Sequence, residues 1–297
     1  MNVKKIQSTA CLLLTSIIWG LAFVAQRAGL EYVSSFTFNG VRFALGAILL
    51  IPVTLLFERG ADSKARKKTT IRAGVIGGSV LFLAASLQQF GVEFTESAGK
   101  SGFITGLYVV IVPFLGIFLG RKANIFVWLG AALACAGLYL LSMRDGVLSI
   151  ELGDIILLIG AVLWAVHILI VDHYAGGVSP ILFSSIQFFT CSALSLICAL
   201  LFEEISAVSI LAGYVPILYA GCLSVGIAYT LQIFGQRHVE PAKAAIIFSL
   251  ESLFAVLGGA LLLGESMDAF GYIGCALIFA GIITSQLQNR RKISRNQ

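Results

Sequence analysis

Two stretches, LQQFGVEFTESAGK at residues 87–100 and LQIFGQRHVEPAKA at residues 231–244, begin two segments that resemble each other. Residues 87–141 and 231–285 align without a gap at a displacement of 144, and several of the shared positions are glycines. Glycines mark the places where packed membrane helices approach closely. The preceding parts align at a displacement of 145, which pairs Trp19 with Trp164 and Phe43 with Phe188. The chain is therefore interpreted as two copies of one unit.

The composition places the chain in a membrane. Of its 297 residues, 58% are hydrophobic and 12% are charged, with a mean hydropathy of +0.96. A soluble domain has about 25% charged residues. Because backbone groups in lipid must be hydrogen-bonded internally, the sequence predicts an all-α polytopic membrane protein with the lipid bilayer as its surroundings. The net charge of +5 requires no nucleic-acid partner, since the basic residues occupy short loops and tails.

Ten apolar runs, each near the roughly 20 residues that cross a bilayer, predict ten transmembrane helices. Their predicted limits are 8–26, 36–57, 73–92, 98–119, 124–142, 153–171, 180–202, 212–235, 242–263 and 269–287. Residues 58–72 are predicted to form the longest loop. The two copies would be residues 1–145 and 146–297, with five spans each, joined between residues 143 and 153.

The distribution of basic residues predicts the orientation. With the N-terminus in the cytoplasm, sixteen lysines and arginines lie on the cytoplasmic side and three, Arg27, Lys100 and Arg144, on the outer side. The positive-inside rule therefore predicts a multi-pass protein of the inner cell membrane with both termini cytoplasmic. Because five is odd, the second copy would be inverted relative to the first. Inverted repeats are typical of secondary transporters.

The sequence motifs resemble those of the EamA type of the drug/metabolite transporter superfamily over nearly the whole chain. They are Ile18-Trp19-Gly20, Val41-Arg42-Phe43, GFIT at residues 102–105, LYVVIVP at 107–113, Leu250-Glu251, LLGE at 262–265, and Gly271, Gly274 and Gly281. The resemblance implies a carrier of small organic solutes, commonly an exporter, with the first four spans of each copy lining a cavity. Family members often have proline after the acidic residue of the ninth span. Ser252 stands there in this chain, which leaves open whether that helix kinks.

Glu251 is the candidate coupling residue. It lies midway along the ninth span, opposite Leu107 of the first copy. A charged carboxylate facing lipid at that depth costs about 2.5–3.5 kcal/mol or more, so the side chain should face the interior. It would either couple proton movement or bind a cationic group. The alternative is a protonated carboxyl that hydrogen-bonds a neighbouring helix.

Further candidates for substrate binding are polar or aromatic residues at membrane depth. Arg42, opposite Gln187, could hold an anionic group, snorkel outward, or pair with Glu93 or Glu96. The shared tryptophans serve helix packing or a cavity wall, and the shared glutamines are expected to form hydrogen bonds between helices. Single-copy aromatic and polar groups suit a small-molecule pocket. For His167, a packed structural role is the alternative. The full set is Trp19, Arg42, Gln88, Tyr108, Trp164, His167, Gln187, Tyr229 and Gln232.

The sequence predicts a secondary transporter of small organic metabolites, such as amino acids or drug-like compounds, by alternating access. A channel or facilitator is the alternative, although no filter motif or ring of charge is present. An intramembrane enzyme is disfavoured, because there is no HExxH motif and no nucleophile has a base at suitable spacing. Six cysteines lie in apolar runs without metal spacing, and there is no Walker loop, so neither a metal nor a cofactor is expected.

Overall fold

The structure is a computed structural model that describes residues 3–57, 64–121, 124–142, 151–264 and 269–286. Within these ranges the regular structure is entirely helical, which confirms the predicted class. The helices are α1 (Val3–Gly29), α2 (Ser35–Phe57), α3 (Lys64–Thr95), α4 (Ala98–Gly106), α5 (Tyr108–Phe118), α6 (Ile125–Ser142), α7 (Leu152–Ala175), α8 (Pro180–Phe202), α9 (Ala207–Ala212), α10 (Tyr214–Leu218), a π-helical stretch termed the π segment (Tyr219–Tyr229), α11 (Thr230–Gln236), α12 (Pro241–Phe248), α13 (Leu250–Leu263) and α14 (Ala269–Gln286).

The described residues contain eight helical segments that are long and apolar enough to cross a membrane. A shorter apolar helix occupies residues 125–137, and α14 coincides with the predicted tenth span. Large apolar side chains cover the outside of the bundle: Leu200 is 73% exposed and Leu261 is 83% exposed. A surface of this kind is stable in lipid and not in water, so the chain is a multi-pass membrane protein.

The predicted loop at residues 58–72 is wrong from Lys64 onward, because α3 begins there and runs for 32 residues. The extension is held by the start of α8. Arg66 Nη2 donates a hydrogen bond to Val178 O at 3.0 Å, and Ser179 N donates to Thr70 Oγ1 at 3.3 Å. The rest of that predicted loop, residues 58–63, and the predicted junction at 143–150 lie outside the described residues.

Two of the spanning segments are each made of two helices. Pro113 has no N–H to donate to Val109, and the segment is interrupted just before that point, between α4 and α5. The other interruption separates α12 from α13, where Ser252 N donates to Ser249 O, three residues back, at 3.2 Å. The ninth predicted span is therefore interrupted, although Ser252 stands where family members often have proline.

The π segment has wider turns than an α-helix and extends over eleven residues. Two of its carbonyl oxygens accept hydrogen bonds from α1. Trp19 Nε1 donates to Ser224 O at 3.4 Å, and Thr15 Oγ1 donates to Ala228 O at 3.1 Å. The equivalent residues of the first copy, 75–85, are α-helical within α3. The two copies therefore differ in backbone conformation next to the centre of the bundle.

The packing partners of the helices exchange between the two copies. α1 packs on α13, and its counterpart α7 packs on α4 and α5. α2 packs on α8, and α6 on α14. At the last of these interfaces the backbones touch. A Cβ on Gly137 would lie 2.5 Å from Gly274 O, and one on Gly281 would lie 2.6 Å from Gly130 O.

This contact predicts the effect of a methyl group at Gly137. Gly137→Ala forces α6 and α14 apart and should lower the free energy of unfolding by about 1–3 kcal/mol. Thermal unfolding of the purified protein in detergent measures this loss. Gly116→Ala is the matched control, because its new Cβ meets Arg121 at an ordinary 3.8 Å. Equal stability of the two variants would contradict the close approach.

Candidate functional site

A buried cavity lies at the centre of the bundle. Its lining residues come from α1, α2, α3, α4, α5, α7, the π segment, α11 and α13, and those described do not include any from α6 or α14. The space open to the centre of a water molecule is about 30 Å³, which holds about two or three waters. The lining residues are Trp19, Ala22, Phe23, Gln26, Arg42, Gln88, Thr105, Tyr108, Trp164, Ile168, Ser224, Tyr229, Gln232 and Glu251.

Glu251 and Tyr108 form a hydrogen-bonded pair in this cavity. Tyr108 Oη donates to Glu251 Oε1 at 2.8 Å, and the two residues are 3% and 4% exposed. Each lies just after one of the two helix interruptions, Tyr108 as the first residue of α5 and Glu251 as the second of α13. The interruptions thus bring an ionisable carboxyl and a phenol together at the cavity wall. Such a pair can bind or release a proton where the bundle excludes lipid.

Aromatic rings form a second wall. The ring centre of Tyr229 lies 4.7 Å from that of Trp19 and 6.2 Å from that of Trp164, to which it is nearly parallel. Trp19 and Trp164, which occupy equivalent positions in the two copies, are 6.5 Å apart. The Trp164 Nε1 donor is buried and has no hydrogen-bond partner among the described residues. Flat apolar surface with a few free polar atoms is typical of small-molecule pockets.

Arg42 reaches the cavity from α2 and is 3% exposed. Its guanidinium carbon lies 5.4 Å from the ring centre of Phe38 and 5.0 Å from that of Phe43. Within the described part of the chain it forms no ion pair, so the predicted alternative of pairing with Glu93 or Glu96 is absent. Glu93 instead accepts a hydrogen bond from Ser35 Oγ at 2.6 Å. Burial also excludes the alternative that Arg42 snorkels to the surface.

His167 and Gln187 lie behind the aromatic wall and do not line the cavity. His167 Nε2 and Gln187 Oε1 are 3.1 Å apart. The imidazole ring packs edge-on against Trp164 and Tyr229, with centre distances of 5.8 and 6.1 Å. His167 and Gln187 are therefore placed to support the rings of Trp164 and Tyr229 from behind. The other eight candidates from the sequence all line the cavity.

The two equivalent glutamines have different surroundings. Gln88 Nε2 donates to Gln26 Oε1 at 3.0 Å. Gln232 is fully buried, and neither atom of its amide has a partner among the described residues. The predicted interhelical hydrogen bond is therefore present for Gln88 and not for Gln232. The amide of Gln232 is left free to hydrogen-bond a molecule in the cavity.

Sequence reasoning missed several lining residues: Ala22, Phe23, Gln26, Thr105, Ile168 and Ser224. Four of them had a signal. Ile168 follows the predicted site residue Trp164 by four residues. Ala22, Phe23 and Gln26 follow Trp19 by three, four and seven residues, which is the spacing of one helix face. Ser224 had none, because it belongs to the π segment, where that spacing does not apply.

No group of three His, Cys, Asp or Glu side chains that could hold a metal occurs in the described ranges. The arrangement offers hydrogen bonds, one guanidinium, one carboxyl and aromatic surface, all inside a membrane bundle. These are the means of binding a small polar organic molecule.

Comparison with known proteins gives relatives along the whole chain. A transporter from Archaeoglobus fulgidus, named as uncharacterized, is 30% identical over 97% of this chain and 88% of its own length. The inner membrane transporter YedA of Escherichia coli, likewise named as uncharacterized, is 24% identical over 90% of this chain and 86% of its own. The names of these relatives indicate a transporter and not an enzyme.

A solved crystal structure shares the fold, with a TM-score of 0.78 and 20% identity over 96% of this chain and 98% of that one. The model of the EamA-like transporter family matches twice, at residues 8–143 and 151–286. These matches span nearly the whole chain and confirm the resemblance seen in the motifs. The protein belongs to the EamA-like transporter family.

Proposed function

We propose that this protein is a secondary active transporter of small organic metabolites, such as amino acids or drug-like compounds. It works as an exporter by alternating access around the central cavity, with a proton on Glu251 coupled to solute movement. The hydrogen-bonded pair of Glu251 and Tyr108 in that enclosed cavity carries the proposal. A charged carboxyl at this depth is energetically costly, so ionisable residues inside membranes usually have a partner or a function.

In this proposal ten spans form two inverted copies, residues 1–145 and 146–297. Contacts at the ends of the helices support the inversion. Ser8 at the start of α1 contacts His238, and Arg237 beside it donates to Val178 O, just after the end of α7. α1 thus begins at the end of the bundle where α7 finishes. At the opposite end a Cβ on Gly153, near the start of α7, would lie 2.8 Å from Thr95.

Reciprocal contacts support the equivalence of the copies. A Cβ on Gly91 would lie 2.3 Å from Leu157, and one on Gly235 would lie 2.4 Å from Leu12. Gly91 corresponds to Gly235, and Leu12 to Leu157, so the two contacts exchange when the copies exchange. Near-equal halves of this kind can trade conformations, which gives two access states of similar energy.

Ion pairs agree with the division of residues between the two sides of the membrane on which the proposed orientation is based. Lys100 contacts Asp154 Oδ1 at 2.9 Å, and both residues belong to the predicted outer side. Arg121 pairs with Asp172 at the predicted cytoplasmic side. Each of these pairs therefore joins groups that the predicted topology places on one side of the membrane.

The size of the cavity supports alternating access. Space for about two or three waters cannot contain a drug-sized solute, whose pockets measure about 300–1,000 Å³. The described conformation therefore resembles a closed state between outward-facing and inward-facing forms. A carrier requires such a state, whereas a conducting channel requires a continuous water path.

The cavity residues divide into proposed roles. Trp19, Trp164 and Tyr229 enclose the flat part of the solute, with His167 and Gln187 supporting them. Gln232 and Arg42 offer hydrogen bonds to its polar groups. Gln88 orders the wall through Gln26. Tyr108 holds the Glu251 carboxyl and releases it when a proton or a solute group takes its place.

Glu251→Gln tests the coupling. The amide preserves the size and the hydrogen bond to Tyr108 but cannot exchange a proton, so transport should lose its dependence on the pH gradient. Counterflow of solute without a gradient should persist. Proteoliposome flux with and without an imposed pH gradient measures both.

Glu240→Gln is the matched control, because Glu240 is exposed and lies outside the cavity, 3.7 Å from Lys243. It should keep full pH dependence. If Glu251→Gln keeps it as well, the coupling role is wrong. Flux that does not saturate with solute concentration would instead favour a channel.

Gln88→Leu and Gln232→Leu separate packing from solute binding at equivalent positions. Gln88→Leu removes the donor of Gln26 Oε1 and should lower the free energy of unfolding by about 1 kcal/mol. Gln232→Leu breaks no described hydrogen bond, so it should leave stability unchanged or raise it, while it weakens transport. Thermal unfolding and solute flux of both variants provide the comparison. A loss of stability in Gln232→Leu equal to that in Gln88→Leu would contradict this assignment.

A further inference from the structure

We infer that Arg42 is the anion-binding residue of the cavity and that the transported solute carries a carboxylate which it grips. This inference rests on the proposed transport function and specifies the chemistry of its solute.

The Arg42 guanidinium is buried without an ion-pair partner among the described residues. Arg42 is 3% exposed, and its Nε has no hydrogen-bond partner in the described part of the chain. No ion pair to it occurs there either. Buried arginines normally have a carboxylate or several carbonyl oxygens as partners, because an unpaired buried charge is strongly unfavourable. The rings of Phe38 and Phe43 compensate only a small part of that cost.

The carboxyl in the cavity wall, that of Glu251, is hydrogen-bonded to Tyr108 and not to Arg42. Glu251 accepts the hydrogen bond of Tyr108 from the opposite copy. Arg42 is therefore not neutralised by the one acidic side chain among the lining residues. A ligand that brings its own negative charge would satisfy the guanidinium.

The cavity wall supplies additional hydrogen-bond donors. Trp164 Nε1 and Gln232 Nε2 line the same cavity, and neither has a described acceptor. A planar guanidinium offers two parallel N–H groups to the two oxygens of a carboxylate. Uncharged donors nearby can complete the shell around those oxygens. The aromatic wall of Trp19, Trp164 and Tyr229 suits a flat apolar group attached to the carboxylate.

The charges in the cavity wall favour a carboxylate over a phosphate. Arg42 is the one cationic side chain among the described lining residues, and Glu251 shares the space. A dianionic phosphate would leave an excess negative charge in a medium of low dielectric constant. A single carboxylate balances the single guanidinium.

The anion site has no counterpart in the other copy. The residue equivalent to Arg42 is Gln187, which hydrogen-bonds His167 behind the wall and does not reach the cavity. Arg42→Gln therefore gives the first copy the residue that the second copy already has.

The experiment uses phenylacetate as the probe, with phenylacetamide as its neutral isostere and phenethylamine as a cation. The full-length protein in detergent should be stabilised against heat by phenylacetate and far less by the other two. Arg42→Gln should weaken phenylacetate binding by about tenfold or more, since a charge-assisted pair is lost. Arg42→Lys should weaken it less, because it keeps the charge but not the paired geometry.

Arg237→Gln is the control variant. Arg237 donates to Ala175 O and Val178 O at the end of α7, outside the cavity, so its loss should not alter phenylacetate binding. If Arg42→Gln does not fold, the comparison of phenylacetate with phenylacetamide on the unaltered protein still decides. Equal stabilisation by those two compounds would overturn the inference.

Flux measurements distinguish this inference from the proposed function. Saturable transport of phenethylamine or of neutral solutes, with no transport of carboxylates, would overturn the role of Arg42 and leave the transporter intact. Carboxylate binding that requires Arg42, without flux of any solute in proteoliposomes, would overturn the transport proposal and leave the anion site standing.

Discussion

The low dielectric constant at the centre of the bundle is the constraint on which the rest of this structure depends. A polar group there is cut off from bulk water, so its partner must be in the protein, in a ligand or among the few waters that the cavity can hold. Polar side chains of α1 find such partners on neighbouring helices. Ser16 Oγ donates to Ile247 O at 2.9 Å, and Thr15 Oγ1 donates to Ala228 O in the π segment. Some buried polar atoms have no described partner, and they occur both away from the cavity, as at Asn39 Oδ1 and Ser195 Oγ, and in its wall. Arg42 Nε, Trp164 Nε1 and both amide atoms of Gln232 are buried without described partners, and all three residues line the cavity. These cavity atoms are available to hydrogen-bond a molecule inside the cavity.

The same constraint explains why repetition and asymmetry occur together. Close contacts between copies are reciprocal, as at Gly91 with Leu157 and Gly235 with Leu12. The same packing contact is therefore used twice, once in each copy. The chemistry is not reciprocal. Glu251 faces Tyr108, whereas the residue equivalent to Glu251 is Leu107, and Arg42 corresponds to Gln187. The shared packing and the chemistry of the cavity therefore fall on different residues.

The sequence was sufficient for the helical class, the repeat and most of the cavity wall, because apolar periodicity and residue depth are local properties. Eight of ten candidate residues line the cavity, and the other two support it. What it could not supply depends on distant contacts. The helical start of α3 at Lys64 is held by Val178 and Ser179, more than a hundred residues away. Gln88 is paired by Gln26, which is 62 residues away in the sequence, and the amide of Gln232 has no partner among the described residues. No pattern in residues 219–229 indicates wider helical turns, so Ser224 could not be placed.

The interruption before Glu251 shows how such distant contacts substitute for a sequence signal. In the first copy Pro113 removes a hydrogen bond and the helix breaks near it, a property readable from one residue. In the second copy Ser252 stands where a proline would act, and its hydroxyl donates to Gly102 O at 2.6 Å. Ser249 Oγ donates to Ile246 O at 2.7 Å. Two serine hydroxyls bond carbonyls around the break, one of them in the opposite copy, so α13 begins anew at Leu250. Because Gly102 belongs to α4, the position of Glu251 is fixed by the same part of the chain that carries Tyr108. The carboxyl and the phenol are thus held together by backbone contacts between the copies, and a movement of one copy against the other would act directly on their hydrogen bond.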